Sequence, residues 1–333
     1  MIWLEFLASA ALIVYTATKL AQYGDVIAVR TRLGGMFVGT LLMAAATSLP
    51  ELLTAINAID QGVPNLTVGN IFGSTMFNMF LLGLIDLLFF RLHILRRITV
   101  NHALSATIAV LLTGLAVFFI VAQIDVTVGW VGVDSLVLMG VYVLGTRLMF
   151  GGGGADSQPA EPDAIPDGLP SLRYASIGFA LATVALIALT PALVSSSVDI
   201  AEITGLGTGF VGVALVAIVT SLPEVITTIS AARIGAYDLA VGNLFGSNVF
   251  NIFALALTDL FYTDGRFLAA VSSTMTIAGT LGLIMITLAL LGTLARNLAW
   301  GHTRRLIVEL DALAIMILYL LGMLLLYNRG LIG

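Results

Sequence analysis

The pentapeptide Thr47-Ser48-Leu49-Pro50-Glu51 recurs as Thr220-Ser221-Leu222-Pro223-Glu224, and each copy lies inside a long apolar run. A proline lacks the N–H that a helix needs, so each copy predicts a broken helix with a freed carbonyl four residues earlier. Each copy also carries a glutamate, and an ionisable residue at membrane depth indicates a functional site. Carboxylate, hydroxyl and backbone oxygens together suit Na⁺ or Ca²⁺ rather than soft metals. The alternative is a kinked helix whose neutral glutamate is only hydrogen-bonded.

The composition indicates a polytopic membrane protein. Of 333 residues, 59 % are hydrophobic and only 10 % are charged, with a mean hydropathy of +1.07. Soluble domains carry about 25 % charged residues. The absence of cysteine excludes disulfides and thiolate metal sites. The first 20 residues lack a basic region and a small-residue cleavage site, so they are predicted as a spanning helix rather than a signal peptide.

Ten apolar stretches are long enough to span a bilayer. They cover residues 2–21, 35–59, 67–90, 102–122, 127–150, 172–194, 207–232, 239–262, 268–293 and 307–327. The prediction is therefore an all-α membrane protein with ten transmembrane helices. Lys and Arg favour cytoplasmic loops. With the N-terminus outside, only Arg266 and Arg329 of the 14 basic residues fall on the outer side, so both termini are expected outside.

The pentapeptide belongs to a longer internal repeat. Residues 39–78 align without a gap on residues 212–251, a shift of 173 positions, and 21 of the 40 pairs are identical. Five spans separate the copies, and an odd number places the second copy in the membrane upside down. Inverted repeats with broken helices are typical of secondary transporters. The predicted fold is thus two inverted five-helix repeats.

The domain boundaries follow from this repeat. Residues 1–150 form the first half, with its α-repeat at about 36–90, and residues 172–333 form the second half, with its α-repeat at about 209–262. The segment 151–171 between them is rich in glycine and proline, which predicts a flexible cytoplasmic linker. A regulatory ion-binding loop is the alternative for this segment.

A polar stripe follows the pentapeptide in each half. Asn70, Ser74 and Asn78 are spaced by four residues, so they share one helix face, and Asn243, Ser247 and Asn251 repeat the pattern. We expect the serines and the last asparagine of each stripe to coordinate ions. We interpret Asn70 and Asn243 as interhelical hydrogen-bonding residues. The glycines of the same stretch, Gly69 and Gly73, predict a close helix–helix approach.

Other polar residues are less informative. Asp86 and Asp259 form a further repeat pair, 173 positions apart. Each either lines a vestibule that attracts cations or is a helix-end carboxylate that reaches interfacial water. His93, His102 and His302 lie close to loops and are interpreted as interfacial residues rather than ligands.

The two motifs resemble those of the sodium/calcium exchanger branch of the cation/Ca²⁺ antiporter superfamily, in its prokaryotic form with two α-repeats. The family repeats read roughly A-x-G-T-S-x-P-E and then G-N-x-x-G-S-N-x-x-[ND]. The resemblance implies a prokaryotic cytoplasmic membrane, with the two glutamates as central Ca²⁺ ligands and Na⁺ sites beside them. Carried over by position, the implied ligands are Ala44 (carbonyl), Thr47, Ser48, Glu51, Ser74 and Asn78, and Ala217 (carbonyl), Thr220, Ser221, Glu224, Ser247 and Asn251.

The sequence departs from the family pattern in three respects. The glycine before the Thr-Ser pair is Ala46 in one half and Val219 in the other, and Thr75 replaces the asparagine of G-S-N. Most importantly, Asn251 stands where similar archaeal exchangers carry an aspartate. The motifs therefore supply two formal negative charges rather than three.

The predicted function is secondary active antiport of Ca²⁺ against Na⁺ by alternating access. The rival is H⁺-coupled divalent cation antiport, because two close carboxylates can also hold protons. The H⁺/Ca²⁺ branch has a different motif, G-N-x-x-E, which this sequence lacks. A passive channel or an intramembrane enzyme is a remote alternative, since no nucleophile–base pair is evident. We expect no cofactor, no nucleic acid and no obligatory protein partner, only the lipid bilayer and the transported cations.

Overall fold

The computed structural model describes residues 1–31, 43–88, 101–151, 168–233, 235–297 and 304–330, and these are nearly all helical. Residues 43–47 form a helical segment before the first break. The further helices are α1 (Ile2–Thr31), α2 (Leu49–Asp60), α3 (Pro64–Leu88), α4 (Asn101–Ala122), α5 (Val133–Gly151), α6 (Leu172–Thr204), α7 (Thr208–Thr220), α8 (Leu222–Arg233), α9 (Tyr237–Thr258), α10 (Met275–Asn297) and α11 (Arg304–Gly330).

A short β-hairpin corrects the predicted fifth span. Strands β1 (Thr127–Val128) and β2 (Val131–Gly132) pair antiparallel, and helix α5 begins only at Val133. The two-residue turn between them starts with Gly129 at φ 67°, a conformation that glycine adopts without strain. The predicted start at residue 127 was therefore wrong, because an apolar run without periodicity does not separate strand from helix.

Seven helices in the described ranges are long and apolar enough to cross a membrane, and the bent pair α7–α8 could make an eighth. The first and sixth helices each extend ten residues beyond their predicted ends, to Thr31 and Thr204. The predicted second span, 35–59, is described only from residue 43. Within the predicted linker, residues 152–167 lie outside the described residues, and Ser171 caps the N-terminus of α6 by accepting from the Tyr174 N–H.

Helices α3 and α9 form the centre of the bundle. In their most apolar stretches, 72 % of the residues of α3 and 89 % of those of α9 are buried, against 28 % for α6 and for α11. The outer helices expose large apolar side chains such as Leu181 and Leu320. Such an all-round apolar surface fits a hydrocarbon environment rather than water.

The two repeat copies fold alike at the turn after the pentapeptide helix. Gly62 and Gly235, a repeat pair, have φ of 71° and 81°. In the first half, the Val63 N–H bonds back to the Ala58 carbonyl at 2.9 Å, and the second half repeats this bond. This bond, together with the left-handed glycine, is the Schellman motif that ends helices.

Glycines allow α3 to cross α7 with backbones in contact. A Cβ atom on Gly69 would lie 2.2 Å from the carbonyl oxygen of Gly209, and one on Gly73 would lie 2.7 Å from the Cα of Val213. On the α7 side, the crossing lies at a π-helical turn, Gly212–Val216. Any side chain at Gly69 would therefore force the helices apart.

The paired central helices run in opposite directions. At one end of the bundle, Asn65 at the start of α3 accepts from the Ser272 N–H at 2.8 Å. Asp259, just after α9, accepts from the Phe267 N–H at 3.0 Å, in the same loop as Ser272. Helix α3 therefore begins where α9 ends, which is the geometry that an inverted repeat requires.

Candidate cation site

Both pentapeptides break their helices at the serine. Ser48 has φ −88° and ψ 8°, and Ser221 has φ −86° and ψ 2°, so neither residue continues the helix. Helices α2 and α8 restart at the next residue, with the proline in the first turn, where its missing N–H leaves no bond unmade. The segments on either side of Ser221 are bent by 43°. The two breaks expose hydroxyls and carboxylates inside the bundle.

Glu51 is fully buried and is held by both halves of the chain. Its Oε1 atom accepts from the Ser221 hydroxyl at 3.0 Å and from the Ser74 hydroxyl at 3.3 Å. Ser74 belongs to the same repeat as Glu51, whereas Ser221 belongs to the other. The carboxylate therefore joins the two repeats.

Glu224 repeats this arrangement from the other side. Its Oε1 atom accepts from the Ser48 hydroxyl at 2.9 Å and from the Ser247 hydroxyl at 3.4 Å. The side chain is 1 % exposed. The serine of each pentapeptide thus donates a hydrogen bond to the glutamate of the opposite copy, so the two motifs form one reciprocal site.

Each glutamate also has an oxygen without a partner. Glu51 Oε2 and Glu224 Oε2 are buried and make no hydrogen bond within the described part of the chain. A buried carboxylate oxygen is stable only with a proton, a donor or a cation beside it. The serine hydroxyls that donate to Oε1 keep their own lone pairs, which a hard cation can use.

The threonines of the two motifs bind the opposite stripe. Thr47 Oγ1 lies 3.4 Å from Asn243 Oδ1, and Thr220 Oγ1 lies 3.0 Å from Asn70 Oδ1. Each asparagine also anchors its own half, because Asn70 donates to the Glu51 carbonyl at 3.4 Å and Asn243 donates to Thr227 at 3.0 Å. These contacts agree with the interpretation of Asn70 and Asn243 as interhelical hydrogen-bonding residues.

The two implied carbonyl ligands already accept other hydrogen bonds. The Ala44 carbonyl accepts from the Ser48 N–H at 3.0 Å and the Thr47 hydroxyl at 3.1 Å. The Ala217 carbonyl accepts from the Ser221 N–H at 3.0 Å and lies 3.4 Å from the Thr220 hydroxyl. A carbonyl has two lone pairs. Either carbonyl would therefore have to release a hydroxyl before it could bind an ion with full strength.

The asparagines at the end of each stripe are buried but have different partners. Asn78 donates from Nδ2 to Asn248 Oδ1 at 3.0 Å, while its own Oδ1 makes no bond in the described residues. Neither atom of the Asn251 amide has a hydrogen-bond partner in the described ranges. No role was predicted for Asn248, although its place beside Ser247 in the G-S-N motif was a signal.

The position of Asp259 corrects one prediction about a side chain outside the site. Asp259 is fully buried and accepts from the Gly132 N–H at 2.8 Å and the Phe267 N–H at 3.0 Å. It therefore neither lines a vestibule nor reaches interfacial water, but joins the hairpin to the loop before α10. His102 is also buried, and its Nε2 lies 3.1 Å from Asp238. His93 and His302 lie outside the described residues.

The site contains few titratable groups. Within the described ranges, no cluster of three or more His, Cys, Asp or Glu side chains could hold a metal ion. The two carboxylates are thus bonded by serine hydroxyls and not by a third charged group. A set of carboxylate and hydroxyl oxygens favours weakly held hard cations over tightly held transition metals.

Relatives of the chain were found by sequence. A family model described as sodium/calcium exchanger protein matches residues 1–151 and 174–328. The putative antiporter CaxA of Alkalimonas amylolytica is 28 % identical over 294 residues, which cover 85 % of this chain and 89 % of the relative. The sodium/calcium exchanger MaX1 of Methanosarcina acetivorans is 49 % identical over 70 residues, which cover 21 % of this chain and 20 % of the relative.

Solved structures share the fold. The sodium-calcium exchanger NCX_Mj superimposes with a TM-score of 0.61 at 23 % identity, covering 97 % of this chain and 98 % of its own. The H⁺/Ca²⁺ exchanger CAX superimposes with a TM-score of 0.67 at 14 % identity, covering 99 % of this chain and 90 % of its own. At these identities the likeness is evidence for the fold alone.

Proposed function

The chain belongs to the sodium/calcium exchanger protein family, and we propose that it is a secondary active antiporter that exchanges Ca²⁺ for Na⁺ by alternating access. The observation that carries the proposal is the reciprocal pair of glutamates. Glu51 and Glu224 are each held by a serine of the opposite repeat, and each presents one buried oxygen that no described residue bonds. Two carboxylates match the charge of one Ca²⁺ or of two Na⁺.

The geometry also supports alternating access. Each glutamate is bonded to both repeats, so a shift of one repeat against the other would change the contacts of both carboxylates at once. A bound ion that bridges the repeats could therefore couple its own binding to that shift. The proposed ligand set is the one implied by the motifs: Ala44, Thr47, Ser48, Glu51, Ser74, Asn78, Ala217, Thr220, Ser221, Glu224, Ser247 and Asn251.

We further propose that both termini lie outside and that the 151–171 linker lies inside. Two contacts support this placement. Arg30, expected inside, donates to the carbonyl of Pro170, within the linker, at 2.9 Å. Arg266, expected outside, pairs with Asp125 at 3.1 Å in a loop of the same predicted side. If the linker only joins the halves, deleting about ten of its residues should leave exchange unchanged, because closure entropy depends weakly on loop length.

Coupling to H⁺ is the second candidate. It is favoured by the fold that the chain shares with CAX and by the unpartnered glutamate oxygens, which a proton could occupy. It is disfavoured by the second motif, which reads Gly69-Asn70-Ile71-Phe72-Gly73 and has no glutamate. Proton exchange would therefore have to use the same two carboxylates that bind Ca²⁺.

The test is ⁴⁵Ca²⁺ uptake into proteoliposomes under one imposed gradient at a time. We expect an outward Na⁺ gradient to drive uptake and an outward H⁺ gradient, at equal Na⁺, to leave uptake at the level of empty liposomes. Uptake driven by H⁺ alone would favour the second candidate. Uptake driven by neither gradient would contradict cation-coupled Ca²⁺ transport altogether.

A further inference from the structure

A third buried amide lies beside the proposed ligands. Asn248 follows Ser247 on α9, is fully buried, and accepts from Asn78 Nδ2 through its Oδ1 at 3.0 Å. The bond runs from a donor in the first repeat to an acceptor in the second. Ser247 itself donates to Glu224 at 3.4 Å, so Asn248 lies at the edge of the glutamate pair.

The bond constrains the amide of Asn78. The Asn78 amide would lose this hydrogen bond to the Asn248 oxygen if it turned over, so the bond favours one direction for the Asn78 oxygen. Asn78 Oδ1 is buried and makes no hydrogen bond in the described residues. Asn78 lies one turn beyond Ser74, which donates to Glu51, on the same face of α3. The free oxygen is thus placed on the face that meets the carboxylates.

The first repeat lacks the equivalent bond. The position that matches Asn248 is Thr75, and its hydroxyl donates to the Ile71 carbonyl of its own helix at 3.0 Å. Asn251, the repeat partner of Asn78, has no hydrogen bond to either amide atom from the residues that the structure describes. Among these residues, one asparagine is therefore oriented by a neighbour and its counterpart is not.

We propose that Asn248 is a positioning residue, which holds the Asn78 oxygen toward the cation bound at Glu51 and Glu224. This inference rests on the proposed function, because it needs a cation at that site. A ligand fixed in advance loses less freedom when the ion binds, so it raises affinity without taking part in the conformational change. Asn248 should therefore act on ion affinity, and only through Asn78.

The test is a double-mutant cycle with Asn248→Thr, which introduces the residue of the first repeat, and Asn78→Ala. Each single variant should raise the Ca²⁺ concentration for half-maximal exchange about tenfold, the effect of one lost buried hydrogen bond or ligand. The maximal rate should change by less than about twofold. The double variant should be no worse than Asn78→Ala alone, since the two residues act as one unit.

Thr75→Val is the matched control, because it removes a side-chain bond at the equivalent position that stays within its own helix. It should leave the half-maximal Ca²⁺ concentration unchanged. Additive losses in the cycle, or a loss of maximal rate without a change in affinity, would overturn the inference. The same variants are also compared by a second readout, the rise in Tm that Ca²⁺ or Na⁺ causes in the purified protein. This readout does not require transport.

These two readouts separate the inference from the proposed function. A wild-type protein that is stabilised by Ca²⁺ but does not exchange it would refute the function, and the cycle in Tm would still decide the role of Asn248. A wild-type protein that neither Ca²⁺ nor Na⁺ stabilises would overturn the inference as well, because no cation would then meet the Asn78 oxygen.

Discussion

The two copies of the repeat carry their charge on the same residue types at matched positions. They differ in the residues that orient the neutral amide side chains. Each serine of the pentapeptide donates to the opposite glutamate, at 2.9 Å in one direction and 3.0 Å in the other. One turn further along, the symmetry ends. Asn78 is fixed by Asn248, whereas Asn251 has no hydrogen-bond partner among the described residues.

The symmetric contacts therefore hold the charged groups, whereas the asymmetric contacts orient neutral ones. A site that neutralises a divalent ion needs both carboxylates equally, so mutations in the reciprocal pair should have equal effects in the two halves. Neutral amides contribute less energy than charges and can differ between the halves without disturbing that balance. Variants made in matched positions of both repeats therefore test the comparison directly.

The largest expected effect comes from Glu51→Gln and Glu224→Gln. Either change removes half of the site's formal charge, so one charge of a bound Ca²⁺ would be left unpaired in a buried place, which costs about 3–5 kcal/mol. A free-energy loss of about 1.4 kcal/mol corresponds to a tenfold change. We therefore expect Na⁺-driven ⁴⁵Ca²⁺ uptake to fall at least about a hundredfold in both variants.

The matched control is Glu202→Gln, since Glu202 is exposed on α6. It should transport as the wild type does. Uptake near the wild-type rate in either Glu51→Gln or Glu224→Gln, in protein that still folds, would remove that carboxylate from the site.

A smaller effect is expected from Ser48→Ala and Ser221→Ala. Each variant removes one charge-assisted hydrogen bond, worth about 1.5–3 kcal/mol, and one hydroxyl ligand. The Ca²⁺ concentration for half-maximal uptake should rise about 10–100-fold, by the same factor in both variants. A tenfold difference between the two serines would show that the reciprocal contacts are not equivalent.

The smallest effect on transport is expected at Asp259, since its oxygens bind backbone N–H groups outside the site. Asp259→Asn places an amino group against one of those donors, so stability should fall by about 1–3 kcal/mol while Ca²⁺ affinity stays unchanged. Thermal unfolding and ⁴⁵Ca²⁺ uptake measure the two quantities. Asp264→Asn, exposed in the same loop, is the control. Weakened Ca²⁺ affinity with normal stability would restore the vestibule interpretation.

Local features of the fold could be predicted from the sequence. The 173-residue shift identified the matched prolines and glutamates, and both helices break at the predicted pentapeptide. The predicted close approach at Gly69 and Gly73 was confirmed. It could be predicted because the spacing of glycines along one helix is visible in the sequence, whichever helix packs against it.

Pairings across the bundle could not be predicted. Periodicity shows which face of a helix is polar, but not which residue of a distant helix meets it. Three such bonds join residues more than 120 positions apart: Ser48 to Glu224, Asn78 to Asn248, and Gly132 to Asp259. The hairpin at 127–132 was missed for a related reason, because its strands are too short to show alternation.

The voltage dependence of exchange tests the central claim, which is that the two glutamates supply all the charge of the site. One Ca²⁺ or two Na⁺ neutralise a formal charge of −2, and a third Na⁺ would leave an excess charge in a poorly solvated place. Asn251→Asp should add room for one more cation and make transport voltage-sensitive.

The measurement is ⁴⁵Ca²⁺/Na⁺ exchange in proteoliposomes whose potential is set by K⁺ and valinomycin at several values. One net charge per cycle would change the driving force by about 2.3 kcal/mol per 100 mV. We predict that wild-type exchange is nearly independent of potential, as two Na⁺ for one Ca²⁺ requires, and that Asn251→Asp acquires the dependence of one charge. A wild-type protein that already shows the dependence of one net charge would contradict the claim.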